Sequence, residues 1–323
     1  GAIPHIAVRS VLKCNRWLYF YRSGDMTKTN RAYCDWNATA PILPDAAEAA
    51  ERAFALGNPS AIHAEGRAAR AAIEAARGAV AAWLGVKPAQ VTFTSGGTEA
   101  AAMALQPVHD EDVLFIGAAE HSCVLGGGGY AADRKVVVPV DGHGRFDVSE
   151  ALILIGQRGL APGQVTIACQ IANNETGVII ASETFAALHE RGWTIVADAV
   201  QAAGRIDVAP YLPHVDWLFV SAHKIGGPKG VGALVGRADA CRPFRPLIGG
   251  GGQERGLRGG TENVAGIVGF GVAARHAAAF LPRMAGVASI RDAFETGLRA
   301  LAPDAVIFAG ESARLPNTSL FAI

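Results

Sequence analysis

The stretch that decides the fold runs from Val165 to Val220. It reads Val165-Thr166-Ile167-Ala168-Cys169-Gln170-Ile171, then a segment of helical length over 182–191, then Thr194-Ile195-Val196-Ala197-Asp198, and then Trp217-Leu218-Phe219-Val220. Short, nearly continuous apolar runs are the pattern of strands covered on both faces. Separation by stretches of helical length implies crossovers and a mostly parallel sheet, so the fold class is α/β.

The same rhythm extends outward. Strands are predicted at 90–94, 113–117 and 135–140, and Ala-rich helices at 45–56 and 62–84. After residue 282 the pattern changes to a helix over 287–301 and strands at 306–308 and 318–323, the start of a small α+β domain. The predicted organisation is an extension at 1–32 outside the fold, a large domain at 33–282, and an incomplete small domain at 283–323. The last apolar run ends without a turn or cap, which suggests a chain that continues. Residues 1–25 lack a clear period and precede Met26, which is expected to be the natural start.

Half of the 323 residues are hydrophobic and 18% are charged, with 29 basic and 29 acidic side chains. That balance points to a compact domain acting on a small molecule, with no nucleic-acid partner. No apolar run of membrane-spanning length is apparent, so no membrane partner is expected. Cys14, Cys34, Cys123, Cys169 and Cys241 are scattered without a CxxC pair. No metal site is expected, and reduced thiols fit a cytoplasmic protein.

Three segments carry chemistry. Thr94-Ser95-Gly96-Gly97-Thr98-Glu99 follows a strand and opens a helical run at 100–105. Free N–H groups, the helix dipole and the Thr98 hydroxyl suit a phosphate, although a plain helix cap reads similarly. Asp198 ends an apolar strand, where α/β sheets bind ligands, or caps a helix. Ser221-Ala222-His223-Lys224 ends another strand and precedes Gly226-Gly227-Pro228-Lys229-Gly230. Lys224 is either a solvated loop lysine or an amine that bonds a carbonyl cofactor.

The string 221–230, with Gly249–Gly252 and Gln253-Glu254-Arg255-Gly256-Leu257-Arg258-Gly259-Gly260-Thr261, resembles the cysteine desulfurases of the class V aminotransferase family, which are fold type I pyridoxal-phosphate enzymes. Further matching motifs are Asp35-Trp36-Asn37-Ala38-Thr39-Ala40-Pro41, Gly57-Asn58-Pro59-Ser60-Ala61-Ile62-His63, Glu120-His121, Asn173-Asn174-Glu175-Thr176-Gly177 and Asp198-Ala199-Val200-Gln201. The resemblance implies pyridoxal 5'-phosphate as cofactor. Lys224 would bond it, Asp198 would pair with its ring nitrogen and His121 would stack on its face and assist proton transfer. Gly97, Thr98, Ser221 and His223 would hold its phosphate and Gln201 its ring hydroxyl. Asn174 would support ring and substrate, and Asn37 the substrate. Thr261 would reach the phosphate of a neighbouring subunit in a homodimer, with Arg258 and its glycines packed at the boundary.

The resemblance also implies removal of sulfur from L-cysteine, giving L-alanine and an enzyme persulfide for iron-sulfur cluster assembly or another acceptor protein. In such a reaction Lys224 shuttles the proton and a cysteine thiolate attacks the substrate sulfur. The family carries that cysteine, and a substrate-carboxylate arginine, beyond a strand resembling Leu315-Pro316-Asn317-Thr318-Ser319-Leu320, and neither lies within residues 1–323. Cys123 reads as a buried small hydrophobe and not as the nucleophile. The 323 residues are therefore expected to bind cofactor poorly and release little sulfur. The other readings are a selenocysteine lyase, a class V aminotransferase, and an inactive fragment that keeps the fold.

Overall fold

A computed structural model describes residues 33–237 and 246–323. Met26, Cys14, Cys241 and the whole of the predicted N-terminal extension lie outside the described residues.

The elements follow the predicted alternation. Helices α1 (Pro44–Ala53) and α2 (Ala64–Leu84) precede β1 (Val91–Thr94), α3 (Gly97–Ala104), β2 (Val113–Gly117), α4 (Ser122–Leu125) and β3 (Lys135–Val138). Next come α5 (Val148–Gly156), β4 (Val165–Gln170), α6 (Ser182–His189), β5 (Thr194–Asp198), β6 (Trp217–Ser221) and β7 (Gly232–Gly236). The chain continues with α7 (Val264–Phe280), α8 (Met284–Leu301), β8 (Val306–Ile307) and β9 (Phe321–Ala322).

Seven strands form one sheet in the order β1-β7-β6-β5-β4-β2-β3. Strands β2 to β6 pair in parallel, and only β7 runs against its neighbours β1 and β6. The carboxyl ends of β1, β2, β4, β5 and β6 therefore share one edge. Every residue of β2 and β4 is buried, as expected for strands without a solvent face. One core cluster joins α2, the sheet, α5, α6 and α7, and a second joins α3 to the opposite face of the sheet.

Three sequence expectations need correction. The predicted strand at 318–323 shrinks to Phe321–Ala322, because Asn317, Thr318 and Ser319 are buried in a turn whose polar groups face the site and Glu295. Strand β7 was not read as one, because glycines bound its apolar centre. The helical stretch Val264–Leu301 contains an 18-residue window of mean hydropathy 1.6, long and apolar enough to match a membrane span by composition, and the sequence reading passed it over. Here α7 packs on α1 and α2 and buries nine of its residues, which is the setting of a core helix.

The edge strand β1 is closed by side chains. Arg77 and Glu254, exposed by only 2% and 3%, form a bidentate pair at 2.6 and 2.8 Å. Glu254 accepts the Phe93 amide at 2.9 Å, and Arg77 donates to the Val91 carbonyl at 2.9 Å. The outer backbone groups of β1 are thus satisfied and its edge is blunted. The same latch holds Glu254 and Arg255 at φ of 47° and 58°, strained for residues with a Cβ. Glu254→Ala would strip the buried Arg77 of its bidentate partner and leave it only the half-exposed Glu74, 3.1 Å from Nε, and is expected to cost about 3 kcal/mol in denaturant unfolding. A loss below about 1 kcal/mol would show that water reaches the latch.

Candidate functional site

At the shared carboxyl edge the chain lines a cavity of 390 Å³. Asn37, Gly97, Thr98, His121, Asn174, Asp198, Gln201, Ser221, His223 and Lys224 all border it, although they come from six separate segments. Ligands collect at such an edge because loops there fan away from the strand ends.

The turn after β1 supplies one wall. Gly97 begins α3, whose first-turn N–H groups have no helical carbonyl within reach and face an anion-favouring dipole. A Cβ on Gly97 would meet Val200 Cγ2 at 3.2 Å, so glycine permits the approach of the turn after β5. Glu99 accepts the Ser95 amide at 2.7 Å and pairs with Arg258 at 2.8 Å. The glycine-rich loop is thereby fastened to the turn.

Asp198 ends β5 beside Phe219 of β6. One carboxylate oxygen accepts the Val200 amide at 2.8 Å. Burial pushes its pKa up to about 6, against the Val200 hydrogen bond and the Lys224 ammonium, which pull it down. Gln201, in the next turn, donates Nε2 to the Asn37 carbonyl at 3.0 Å, which leaves its buried Oε1 without a partner.

The turn after β6 carries Lys224 beside the cavity. Its ammonium donates to the carbonyls of Asn37 and, at 2.9 Å, Ala38. His223 Nδ1 lies 3.1 Å from the Thr39 hydroxyl. Burial, followed by the charges of Lys224, Lys229 and Arg205, lowers the His223 pKa to about 4, so the ring is neutral near pH 7.

His121 is both cap and wall. Its Nδ1 accepts the Cys123 amide at 3.2 Å at the start of α4, which puts the proton of the neutral ring on Nε2. Burial and then Lys224 lower its pKa. Behind it, Glu120 Oε1 accepts the Gln170 amide at 2.6 Å; burial, and next Asp198, raise this carboxyl well above the usual range.

Asn174 is presented by a loop that Asn173 organises. Asn173 Oδ1 accepts the amides of Glu175 and Thr176 at 2.9 and 2.8 Å, and its Nδ2 donates to the Ala119 carbonyl at 3.0 Å. The end of the chain seats on this loop: Leu315 donates to the Gly177 carbonyl at 2.7 Å. Gly177 has φ 75°, and a Cβ there would lie 2.8 Å from Thr318 Cβ. Asn37 closes the network, donating to Asn174 O and Thr318 Oγ1 at 3.0 Å while accepting from Asn317 at 3.0 Å.

Sequence reasoning missed Asn317, Thr318, Arg205 and Glu120 as parts of this surround. One further position differs from expectation. Cys123 is not a core residue: it is partly exposed and lines the cavity. Burial, then Asp198 and Glu120, push its thiol up to about 12, which agrees with its not being a nucleophile. Thr261, expected to serve a neighbouring subunit, borders a separate cavity of 120 Å³ beside Ser95 and Arg258.

The chain matches the family model described as aminotransferase class-V over residues 32–294. It is 40% identical to a cysteine desulfurase of Cereibacter sphaeroides over 306 residues, covering 90% of this chain and 76% of that protein. A cysteine desulfurase of Enterobacter agglomerans is also 40% identical, over 88% of this chain and 72% of its own length. Among solved structures, a NifS-like protein from Rickettsia africae superposes with a TM-score of 0.81 at 31% identity, covering 89% of this chain and 80% of its own. SspA in complex with cysteine gives 0.64 at 31% identity, covering 76% and 72%. The fold is thus that of the fold type I enzymes, as the sequence implied.

The cavity fits the cofactor that the resemblance implies. The free amides of α3, with Thr98, Ser221 and neutral His223, suit a phosphate. The orphaned Gln201 Oε1 is an acceptor that a ring hydroxyl would satisfy. Asp198 would offer its second oxygen to a ring nitrogen, and Lys224 borders the same cavity.

Proposed function

The chain belongs to the class V aminotransferase family and to its cysteine desulfurases, which use pyridoxal 5'-phosphate, and on that premise we propose that this cavity binds the cofactor and removes sulfur from L-cysteine. The observation that carries the proposal is the convergence of Lys224, Asp198, His121 and the Gly97–Thr98 turn on one cavity, among relatives named cysteine desulfurase. The cysteine bound to the similar SspA supports the substrate.

When bound, the cofactor supplies an electron sink for the pair left when the substrate loses its alpha proton. This chain's residues do the rest. Lys224 Nζ would hold the cofactor and would carry the substrate's alpha proton. Asp198 would face the ring nitrogen and stay charged there, for a buried carboxylate beside a cation is favoured in its ionised form. Neutral His121 would stack on the ring and could pass a proton from Nε2. Asn37 and Asn174 fix the substrate from the network described above. A thiolate must also take the substrate sulfur while the C–S bond breaks and alanine leaves. Cys169 is buried with its pKa raised by that burial, and Cys123 is held near 12, so neither suits this role.

The assay is alanine and sulfide from L-cysteine with dithiothreitol. Equal yields without a keto acid support the proposal; alanine that appears only with a keto-acid acceptor would make the chain an aminotransferase. A homodimer belongs to the same reading, with Thr261 on the fastened glycine-rich loop reaching the second subunit's phosphate. Sedimentation showing only monomer would overturn that part. Delivery of sulfur to an iron-sulfur scaffold protein in the cytoplasm is the corresponding biological role, which capture of labelled sulfur by such an acceptor would test.

A further inference from the structure

Arg205 is a guanidinium exposed by only 6%, and no ion pair among the described residues includes it. Its partners are three backbone carbonyls. Nη1 donates to Gln201 O at 2.8 Å, and Nη2 donates to Trp36 O and to Lys224 O, both at 3.4 Å. Gly204, at φ 84°, turns the chain so that this side chain points inward, with the Ile225 side chain 3.0 Å from where a Cβ would sit.

A buried charge without a counter-charge is costly, and an apolar residue could fill the space more cheaply. The carbonyls identify what the charge does. Each belongs to a segment that meets at the Lys224 amine: the residue before Asn37, the residue whose amide donates to Asn37 O, and Lys224 itself. A planar fork can bind several carbonyls at fixed angles, which a point-like ammonium cannot.

We propose that Arg205 is a positioning residue for the cofactor lysine, tying the carbonyls of Trp36, Gln201 and Lys224 into one base that fixes the direction of the Lys224 side chain. It touches neither the cofactor nor the substrate. It also places a permanent positive charge behind Lys224, which disfavours a second positive charge there. The other groups whose charges act with that amine's are Asp198 from β5, His121 at the start of α4 and His223 from its own turn, while Glu175 from the loop after β4 acts on His121 and Lys229 on His223. These are common to wild type and variant, so a shift on replacing Arg205 reports on Arg205.

The inference rests on the cofactor reading above, and the test separates the two. Wild type, Arg205→Met and Arg205→Lys are loaded with pyridoxal phosphate. The pH midpoint of the bound cofactor's visible spectrum and the rate of cofactor release are then measured. Arg205→Met is expected to raise the midpoint by about half a unit to one unit and to speed release roughly tenfold. Arg205→Lys keeps the charge without the fork, so its midpoint stays near wild type while release is still faster. A merely structural residue would lower the melting temperature and leave the midpoint in place. A folded Arg205→Met with wild-type midpoint and release overturns the proposal. If that variant does not fold, Arg205→Lys decides: accelerated release supports the proposal and unchanged release overturns it. A wild-type protein without any visible band removes the Lys224 reading, and this inference with it.

Discussion

Lys224→Ala is expected to abolish the visible absorbance of the cofactor-loaded protein and to lower alanine formation from L-cysteine by roughly three orders of magnitude or more. Lys224 is the amine among the lining residues of the 390 Å³ cavity, and its ammonium rests on the carbonyls of Asn37 and Ala38. Methyl at this position can neither bond the cofactor nor move a proton. The fold should survive, because Lys224 ends a short turn and contributes no core packing; the Ala222 side chain two residues earlier is the buried one. Absorbance and alanine yield, with circular dichroism as the control, check this. A variant that kept the visible band would move the cofactor to another lysine.

Asp198→Asn is expected to reduce alanine formation by about two to three orders of magnitude while making the cofactor-free protein more stable at neutral pH. Asparagine can still accept the Val200 amide, so the turn is retained. What is lost is the charge that keeps a ring nitrogen protonated. The stability effect follows from linkage. The carboxyl has a folded pKa of about 6 against an ordinary aspartate value of 3.8. The folded state therefore holds a proton that the unfolded state releases between those values, and stability falls as pH rises through that window. Above it the ionised carboxylate costs on the order of 2–3 kcal/mol, which asparagine avoids. Melting temperatures of the two cofactor-free proteins should diverge from pH 4 to pH 7, with the variant higher at pH 7. Parallel curves would mean that Asp198 ionises freely in the folded cavity.

The sheet was legible because β2, β4, β5 and β6 are short apolar runs with no exposed face to break the pattern. The site was legible for a related reason: Asp198, Lys224 and the Gly97–Thr98 turn each follow such a run directly, so strand order brought them to one edge. The positions that were missed depend on contacts distant in sequence. Asn317 and Thr318 meet Asn37 across about 280 residues, and no local pattern marks an asparagine whose partner lies so far away. Arg205 reads as a surface charge until three carbonyls are seen around it. Helix α7 is Ala- and Gly-rich and buried on several sides, so it lacks the one-sided apolar stripe that announces a surface helix. Cys123 was assigned to the core because free thiols usually pack there, and only the capping turn of His121 brings it to the cavity wall.

The most direct test of the account is covalent trapping. The 323-residue protein is incubated with pyridoxal phosphate, reduced with borohydride, digested and mapped by mass spectrometry. Six lysines are present in the sequence, Lys13, Lys28, Lys87, Lys135, Lys224 and Lys229. The account predicts that the reduced adduct sits on Lys224 and is absent from Lys224→Ala. An adduct on Lys229 or elsewhere, or one spread evenly over the lysines, would contradict it.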